Sequence, residues 1–466
     1  MKYRITYILS VMALLSGCAG SLDFDADRFY ASTAYALPES DEITFRGIES
    51  SQQITVSSNC TWTFSTDSEW LSVNIVENSG ALNITAYENP TDDPRVGIIR
   101  LYNETQITSS VKVTQLAAER PLVTDGSESA NCYIVSRRGI YKFPALKGNS
   151  SLHVSAVKSV EVLWESFGTS EKPAVGDLIS KVSYFDGEIV FSTQSEFNEG
   201  NALIAAKDAD GNILWSWHIW LTDQPQGQVY YNNAGTMMDR NLGATSATPG
   251  DICTHGLLYQ WGRKDPFLSG SSAEYGSDIA EASVEWPTPV MSAPYEGTIE
   301  YAIAHPMTFI GRSGINNDWL YYDDDFTDTR WTTSELDKSI YDPCPSGWRV
   351  PDGGSNGIWA KAMGSGGSYR YTGDVSVNKG INFSKILGND TTIWYPLAGI
   401  RIGYSGEYAW NMADLFLPGS YGHCWSASTS TEYLDWAISL DIYKSEVDPT
   451  EDAFKCHGYS IRCVKE

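Results

Sequence analysis

The sequence predicts a mainly β protein built from several domains, and three observations carry that reading. Short runs of alternating apolar and polar residues recur from about residue 41 onward, separated by Gly, Pro, Asn and Asp, the pattern of half-buried strands joined by turns. Amphipathic stretches long enough for stable helices are scarce, while aromatic side chains are abundant, with 16 Trp and 27 Tyr. A chain of 466 residues is also too long for one hydrophobic core, so about three domains are expected. The net charge of −26 weighs against nucleic acid or an anionic bilayer surface as a partner.

At the N-terminus, Lys2 and Arg4 precede a short apolar run, Ile5 to Leu15. Its dimensions are those of a secretory signal, residues 1–17, and it is too short to span a bilayer stably. It runs into Leu15-Ser16-Gly17-Cys18, which resembles the bacterial lipobox. That resemblance implies lipidation of Cys18 and an outer-membrane lipoprotein exposed at the cell surface, touching the membrane through its anchor only. The alternative is an ordinary cleaved signal with an incidental Cys18. Residues 18–40 carry Asp23, Asp25, Asp27 and Glu39 among Ser, Ala and Pro, and read as a flexible tether.

Residues 41–118 hold seven short strand-like runs, among them Gln53-Ile54-Thr55-Val56, Leu82-Asn83-Ile84-Thr85-Ala86 and Gly97-Ile98-Ile99-Arg100-Leu101. Runs at this spacing predict an antiparallel sandwich. The order Ser58-Asn59-Cys60-Thr61-Trp62, Trp70-Leu71-Ser72-Val73, Tyr87-Glu88-Asn89-Pro90, Arg95-Val96-Gly97-Ile98-Ile99 and Val113-Thr114-Gln115 resembles the BACON domain of Bacteroidetes surface proteins. The resemblance implies an immunoglobulin-like β-sandwich acting in carbohydrate binding or as a spacer. Trp62 and Trp70 sit in alternating strands, where core packing outweighs ligand contact.

Residues 119–228 read as a second β-sandwich-like domain. Its clearest piece is Ala202 to Lys207, a turn containing Asp210-Gly211, and Ile213 to Leu221; Asp-Gly between two apolar runs predicts a hairpin. The turn lacks the donor spacing of an EF-hand. On the second strand Ile213, Trp215, Trp217, Ile219 and Leu221 share a core face, while Leu214, Ser216, His218 and Trp220 share the other. A lone histidine in that setting is structural more often than catalytic.

From 229 to 466 isolated motifs are joined by long loops. The most constrained is Asp342-Pro343-Cys344-Pro345-Ser346-Gly347-Trp348-Arg349-Val350-Pro351. Its three prolines exclude both helix interior and sheet interior, so it is a rigid connection that needs an outside clamp. Cys344 suggests a disulfide, Trp348 an anchor and Arg349 a hydrogen-bonded clamp. The stretch is expected to meet the run Gly458 to Val464. Together with Met238-Asp239-Arg240-Asn241-Leu242-Gly243-Ala244, Gly256 to Phe267, Trp394 to Arg401, Cys424-Trp425-Ser426-Ala427-Ser428 and Ser460-Ile461-Arg462-Cys463-Val464, it resembles the Fibrobacter succinogenes major paralogous domain. That resemblance implies an α+β fold of C-type-lectin-like and sulfatase-modifying-factor-like type. It also implies a Cys344–Cys463 disulfide and a second pair, Cys424–Cys456; Cys60, Cys132 and Cys253 stay unassigned. The Asp352 to Gly357 stretch shortens or delays the helix expected after Pro351. Calcium-lectin signatures are absent, so the fold does not bring lectin chemistry with it.

No nucleophile–base signature is present: Ser426 and Ser428 lie in no Gly-x-Ser-x-Gly elbow, and Cys456 and Cys463 lack the surroundings of a reactive pair. No Cys-x-x-Cys or Cys/His cluster marks a zinc site. An enzyme is therefore not expected. The best binding candidate is the insert Asn316 to Trp331, with Trp319, Tyr321, Tyr322, Asp323, Asp324, Asp325, Asp328 and Trp331 interleaving rings and acids. Its alternative is a solvated acidic loop with its rings packed on the domain. No resident cofactor is expected; Asp323, Asp325 and Asp328 supply hard oxygens of the kind calcium takes. Tyr404, Tyr408 and Trp410 form a second group. The expected function is a non-catalytic surface protein binding a glycan or host-surface ligand, its β domains acting as spacers. The alternatives are a structural or fimbrial-tip subunit that contacts other surface proteins, and a polysaccharide-acting enzyme.

Overall fold

The computed structural model describes residues 34–466 except 78, 104–105, 125–127, 322–328, 365–378, 384–392, 406–410 and 444–445. The expected signal, Cys18 and the tether as far as residue 33 lie outside the described residues. The chain divides into two compact units, one ending at Ala118 and the other spanning Glu119–Glu466.

The first unit is a two-sheet sandwich. One sheet has the order β1 (Ala36–Pro38), β3 (Ser50–Ser58), β6 (Ala81–Ala86), β5 (Leu71–Val76); the other has β2 (Glu42–Phe45), β8 (Ile107–Gln115), β7 (Arg95–Tyr102), β4 (Thr63–Thr66). Alternation sends Ile54, Val56, Leu82, Ile84, Ile99, Leu101, Val111 and Val113 into one core. The tether was expected to run to residue 40, but Ala36–Pro38 is a strand. Ala36 is buried, and its carbonyl accepts the hydroxyls of Thr108 (3.2 Å) and Ser109 (2.7 Å). Trp62 and Trp70 pack on the core. Arg95 covers one face of Trp70 at 4.6 Å and is held there by the Tyr87 (2.7 Å) and Glu88 (2.9 Å) carbonyls.

The second unit opens with another sandwich. Its sheets are β10 (Cys132–Val135), β16 (Ile213–Leu221), β15 (Gly200–Lys207), β12 (Ser159–Ser166), and β13 (Ile179–Phe185), β14 (Glu188–Thr193), β11 (Ile140–Pro144), β9 (Glu119–Pro121). The β15–β16 hairpin forms where Asp-Gly predicts it, with Asp208 accepting the Asp210 and Asn212 amides and Gly211 at φ +86°. Trp215, Trp217, Ile219 and Leu221 fill the inner core. The other face of β16 is equally buried. Trp220 packs with Met238, Leu242 and Leu257, while Lys264 donates to the Ser216 hydroxyl (2.6 Å) and carbonyl (3.0 Å). Asn131 likewise donates to the Ile340 and Asp342 carbonyls, 2.8 Å each. Residues 119–228 and 229–466, read from sequence as separate domains, thus pack through a shared apolar cluster within one compact unit.

The rest of this unit is mostly short strands, with helices α1 (Ile299–Ala304) and α2 (Ile358–Met363). α2 is short and starts only after Gly357, in keeping with the delaying Asp352 to Gly357 stretch. One sheet orders Gly227–Tyr230, Gly235–Met238, Val464–Lys465 and Trp348–Arg349; a larger one orders Phe267–Leu268, Leu257–Gln260, Gly458–Ser460, Tyr421–Thr429, Trp436–Tyr443 and Glu446–Phe454. Residues 458–465 thus serve both sheets. Cys344 and Cys463 are bonded, S–S 2.08 Å. Inside the connection, Asp342 accepts the Cys344 and Val350 amides (2.8 Å each). Lys338 donates to the carbonyls of Cys344 and Pro345 (2.9 Å each) and Trp348 (2.6 Å). Arg349 clamps Asp352 (2.7 Å). The second disulfide is not formed: Cys424 and Cys456 are buried thiols in different apolar clusters. Cys60, Cys132 and Cys253 are also thiols.

Candidate functional site

The insert contributes to the surface differently from expectation. Trp319 and Trp331, predicted ligand contacts, are core side chains, 1% and 0% exposed. A buried indole N–H needs an acceptor, and both have one: Trp319 donates to the Trp261 carbonyl (2.7 Å), Trp331 to that of Arg263 (3.1 Å). Between them lies a buried Arg330–Asp318 pair (Nη1–Oδ1 2.9 Å), its guanidinium 4.5 Å from the Trp261 ring. Trp319→Ala is expected to cost about 3–5 kcal/mol of stability in chemical denaturation, the range for a deleted core aromatic. Tyr321 is exposed. Tyr322, Asp323, Asp324, Asp325 and Asp328, with the calcium reading placed on them, lie outside the described residues, as do Tyr408 and Trp410. Among the described residues no group of three His, Cys, Asp or Glu could hold a metal ion.

The start of the insert and Tyr404 do come together. Trp436 opens one strand and Phe454 closes its neighbour, and register sets them opposite each other, ring centroids 4.5 Å apart. The turn before them is shaped by Ser430, whose hydroxyl accepts the Glu432 and Tyr433 amides (3.1 Å each). This turn presents Tyr433, half-exposed and 5.1 Å from Trp436. Asp435 accepts from the Asn317 backbone (2.8 Å) and side chain (2.9 Å), pinning the insert to this turn. Arg312 donates to Asn317 and stacks over Tyr404 at 4.4 Å. Tyr404 in turn stands 6.2 Å from Phe454. The result is a ledge of partly exposed rings edged by Arg312, Asn317 and Asp435. Flat apolar faces beside convergent donors and acceptors suit the two sides of a sugar ring. Sequence reasoning missed Arg312, Tyr433, Asp435, Trp436 and Phe454. Tyr433-Leu434-Asp435-Trp436 interleaves rings and acid as the insert does, and was the readable signal.

Behind the ledge the rings continue inward, Phe454 to His457 (5.3 Å), Tyr459 (5.8 Å) and His423 (4.3 Å). Burial pushes His423 and His457 down to about 3, and His457 Nδ1 accepts the Gly403 amide. Both are neutral at physiological pH. Asp441, 3.4 Å from His423, is pushed up to about 7 by burial, reinforced by Glu451 and Asp448. The hydroxyls of Ser426 and Ser428 serve the fold, one donating to the Ile438 carbonyl (2.6 Å), the other accepting the Gly353 amide (3.0 Å).

Residues 61–116 match the family model BACON, described as a putative binding domain, N-terminal. The first unit contains a BACON domain. No curated protein matches the chain. Similar solved structures include the Bacteroides ovatus GH5 xyloglucanase in complex with a XXXG heptasaccharide (21% identity over 21% of this chain and 21% of that one, TM-score 0.18). They also include an endo-fucoidan hydrolase of glycoside hydrolase family 107 (10%, 43% and 29%, TM-score 0.18) and the Yersinia pseudotuberculosis adhesin InvE (11%, 50% and 75%, TM-score 0.15). The chain spans less than a third of the length of either hydrolase. At these TM-scores none of the three carries an argument about function.

Proposed function

We propose that this is a non-catalytic cell-surface lipoprotein, anchored at the outer membrane through Cys18, that binds a glycan on the second unit while the BACON domain acts as a spacer. The observation that carries the reading is the ledge, where Tyr404, Tyr433 and Trp436 stand beside Arg312, Asn317 and Asp435. The lectin-like character read in 229–466, and adhesion as the biological use, belong to the same proposal. Purified residues 119–466, the compact unit, are expected to retain defined glycans on an array. Tyr433→Ala and Trp436→Ala are each expected to weaken that binding about tenfold, or ~1.4 kcal/mol. Silence across the array, or binding indifferent to both changes, overturns the reading. An arm with calcium removed tests Asp323, Asp325 and Asp328: unchanged binding removes the ion from the account.

A second reading, a protein partner such as a fimbrial subunit, is favoured by Ile315 and Leu434, aliphatic side chains 95% and 48% exposed beside the ledge. Sugar rings make little use of such groups. Ile315→Asp that abolishes capture of a surface protein, with glycan binding intact, would support it.

A further inference from the structure

A second opening in the same unit shares no residue with the ledge. It is a cleft of about 360 Å³ between the loop 270–279 and the hairpin formed by Ile400–Arg401 and Leu415–Phe416. Tyr275, Asp278, Ile402, Asp414, Phe416 and Leu417 face it. The volume lies within the range of small-ligand sites.

Both walls are built rather than incidental. The loop is closed on itself by the Gly270–Ile279 bridge and by the Ser271 amide bonding the Asp278 carbonyl at 2.8 Å. Gly419, at φ +72°, anchors the hairpin against this loop; a Cβ there would stand 2.2 Å from the Ala273 carbonyl oxygen. On the hairpin side, Ala413 (φ +71°) and Leu417 (φ +50°) bracket Leu415–Phe416 in the left-handed region, which side chains other than glycine rarely enter. Their cost is borne because the Ala413 amide bonds the Ile402 carbonyl (2.8 Å) and the Ile402 amide bonds the Asp414 carbonyl (3.0 Å). Held strain of this kind gathers at ligand sites.

The lining decides the ligand class. Asp278 and Asp414 are acceptors only, so the ligand must donate hydrogen bonds. No Lys or Arg faces the cleft, and the chain carries −26, so an anion is repelled both locally and at long range. A cation is not demanded either. Arg401, buried and paired in register with Leu415, acts electrostatically on Asp414 and offsets one of the two carboxylates. Tyr275, 68% exposed, offers an apolar ring face, and Phe416 lines the wall beside it. Neutral hydroxyl donors on a flat ring satisfy all of these conditions together.

We propose that this cleft is a carbohydrate subsite that takes an uncharged sugar ring, its hydroxyls donating to Asp278 and Asp414 and its face resting on Tyr275, and that it rejects uronates. The subsite rests on the glycan-binding reading of the unit and adds to it a second contact point and a charge rule.

The test is saturation-transfer NMR on the full mature chain with methyl glycosides of glucose, galactose, mannose and fucose, alongside glucuronate, galacturonate and glucosamine. At least one neutral glycoside is expected to show transfer, with the uronates at least tenfold weaker. With the ledge silenced by Trp436→Ala, a neutral glycoside is expected to keep measurable transfer, and adding Tyr275→Ala or Asp278→Asn to that variant is expected to cut it at least tenfold. Both cleft positions are exposed, so an unaltered thermal transition confirms that the variants fold. Absence of transfer from every neutral glycoside, equal binding of a uronate, preference for glucosamine, or indifference to Tyr275→Ala and Asp278→Asn overturns the subsite. Transfer lost only in Trp436→Ala removes the cleft and leaves the ledge standing. Array binding lost together with all transfer removes both.

Discussion

Replacing Cys344 with Ala is expected to destabilise the second unit by about 5 kcal/mol, the chain-entropy value for a loop of this length. The bond joins residues 119 apart in sequence, and both cysteines are fully buried. Cys344→Ser should cost about 1–3 kcal/mol more, because its hydroxyl would be buried without a partner. The readout is the urea midpoint of residues 119–466 with and without reductant. Reductant should bring the parent to the level of Cys344→Ala and leave that variant unmoved. A loss under ~1 kcal/mol, or one that also appears in the isolated first unit, would count against the account. Glycan binding should survive wherever the variant is folded, because the bond braces the unit and touches no binding surface.

The second large effect is loss of stability in acid. Burial holds His218, His423 and His457 near 3 and His255 near 4, so the folded unit refuses protons that the unfolded chain takes up near 6.5. Their contribution is complete above about pH 6.5 and is lost as pH falls from there toward 3. At pH 5 each histidine is expected to cost about 2 kcal/mol relative to pH 8. Asp342, pushed up to about 6, and Asp441, pushed up to about 7, work the other way. Each binds its proton more readily in the folded state and favours folding as pH falls below its folded value, so the net loss is smaller than the histidines alone would give. Comparing unfolding midpoints at pH 8 and pH 5 measures the sum. His423→Phe isolates one member: both ring nitrogens lack hydrogen-bond partners, and the ring stacks 4.3 Å from Tyr459, so Phe keeps the stacking and removes the titration. That variant should match the parent at pH 8 and exceed it by about 2 kcal/mol at pH 5. Equal slopes in the two proteins would refute the assignment.

What could be read from the residues followed the reach of the interactions. Strand alternation in 41–118, the Asp-Gly hairpin before Ile213 and the proline-locked stretch at 342–351 all obey local rules, and each took the form those rules dictate. The joint packing of 119–228 with 229–466 was hidden because Ser216 looks solvated in sequence, yet finds Lys264 only through long-range packing. Trp319 and Trp331 misled for a related reason. Rings among carboxylates look like a binding loop until Arg330 is seen to neutralise Asp318 inside the core. The ledge itself joins residues near 312–317, 404, 433–436 and 454, a set that no spacing rule connects. Cys424 and Cys456 were paired by analogy, and separate clusters keep them apart.

The placement of residues 458–465 has a consequence for how the protein is made. Gly458–Ser460 is an interior strand of the larger sheet, and Val464–Lys465 lies between Gly235–Met238 and Trp348–Arg349 in the other. Neither sheet has its middle until translation has passed Val464, whereas every strand of the first unit exists once residue 115 is made. The first unit can therefore mature early and alone. In the second unit the strands from Glu119 to Leu221 can pair among themselves, but the part from Gly227 on stays open and closes late through contacts of very long sequence range, the slowest kind to form. Its vulnerable interval is the time between synthesis of Cys344 and arrival of Cys463, and assistance by chaperones or oxidases would act within that interval.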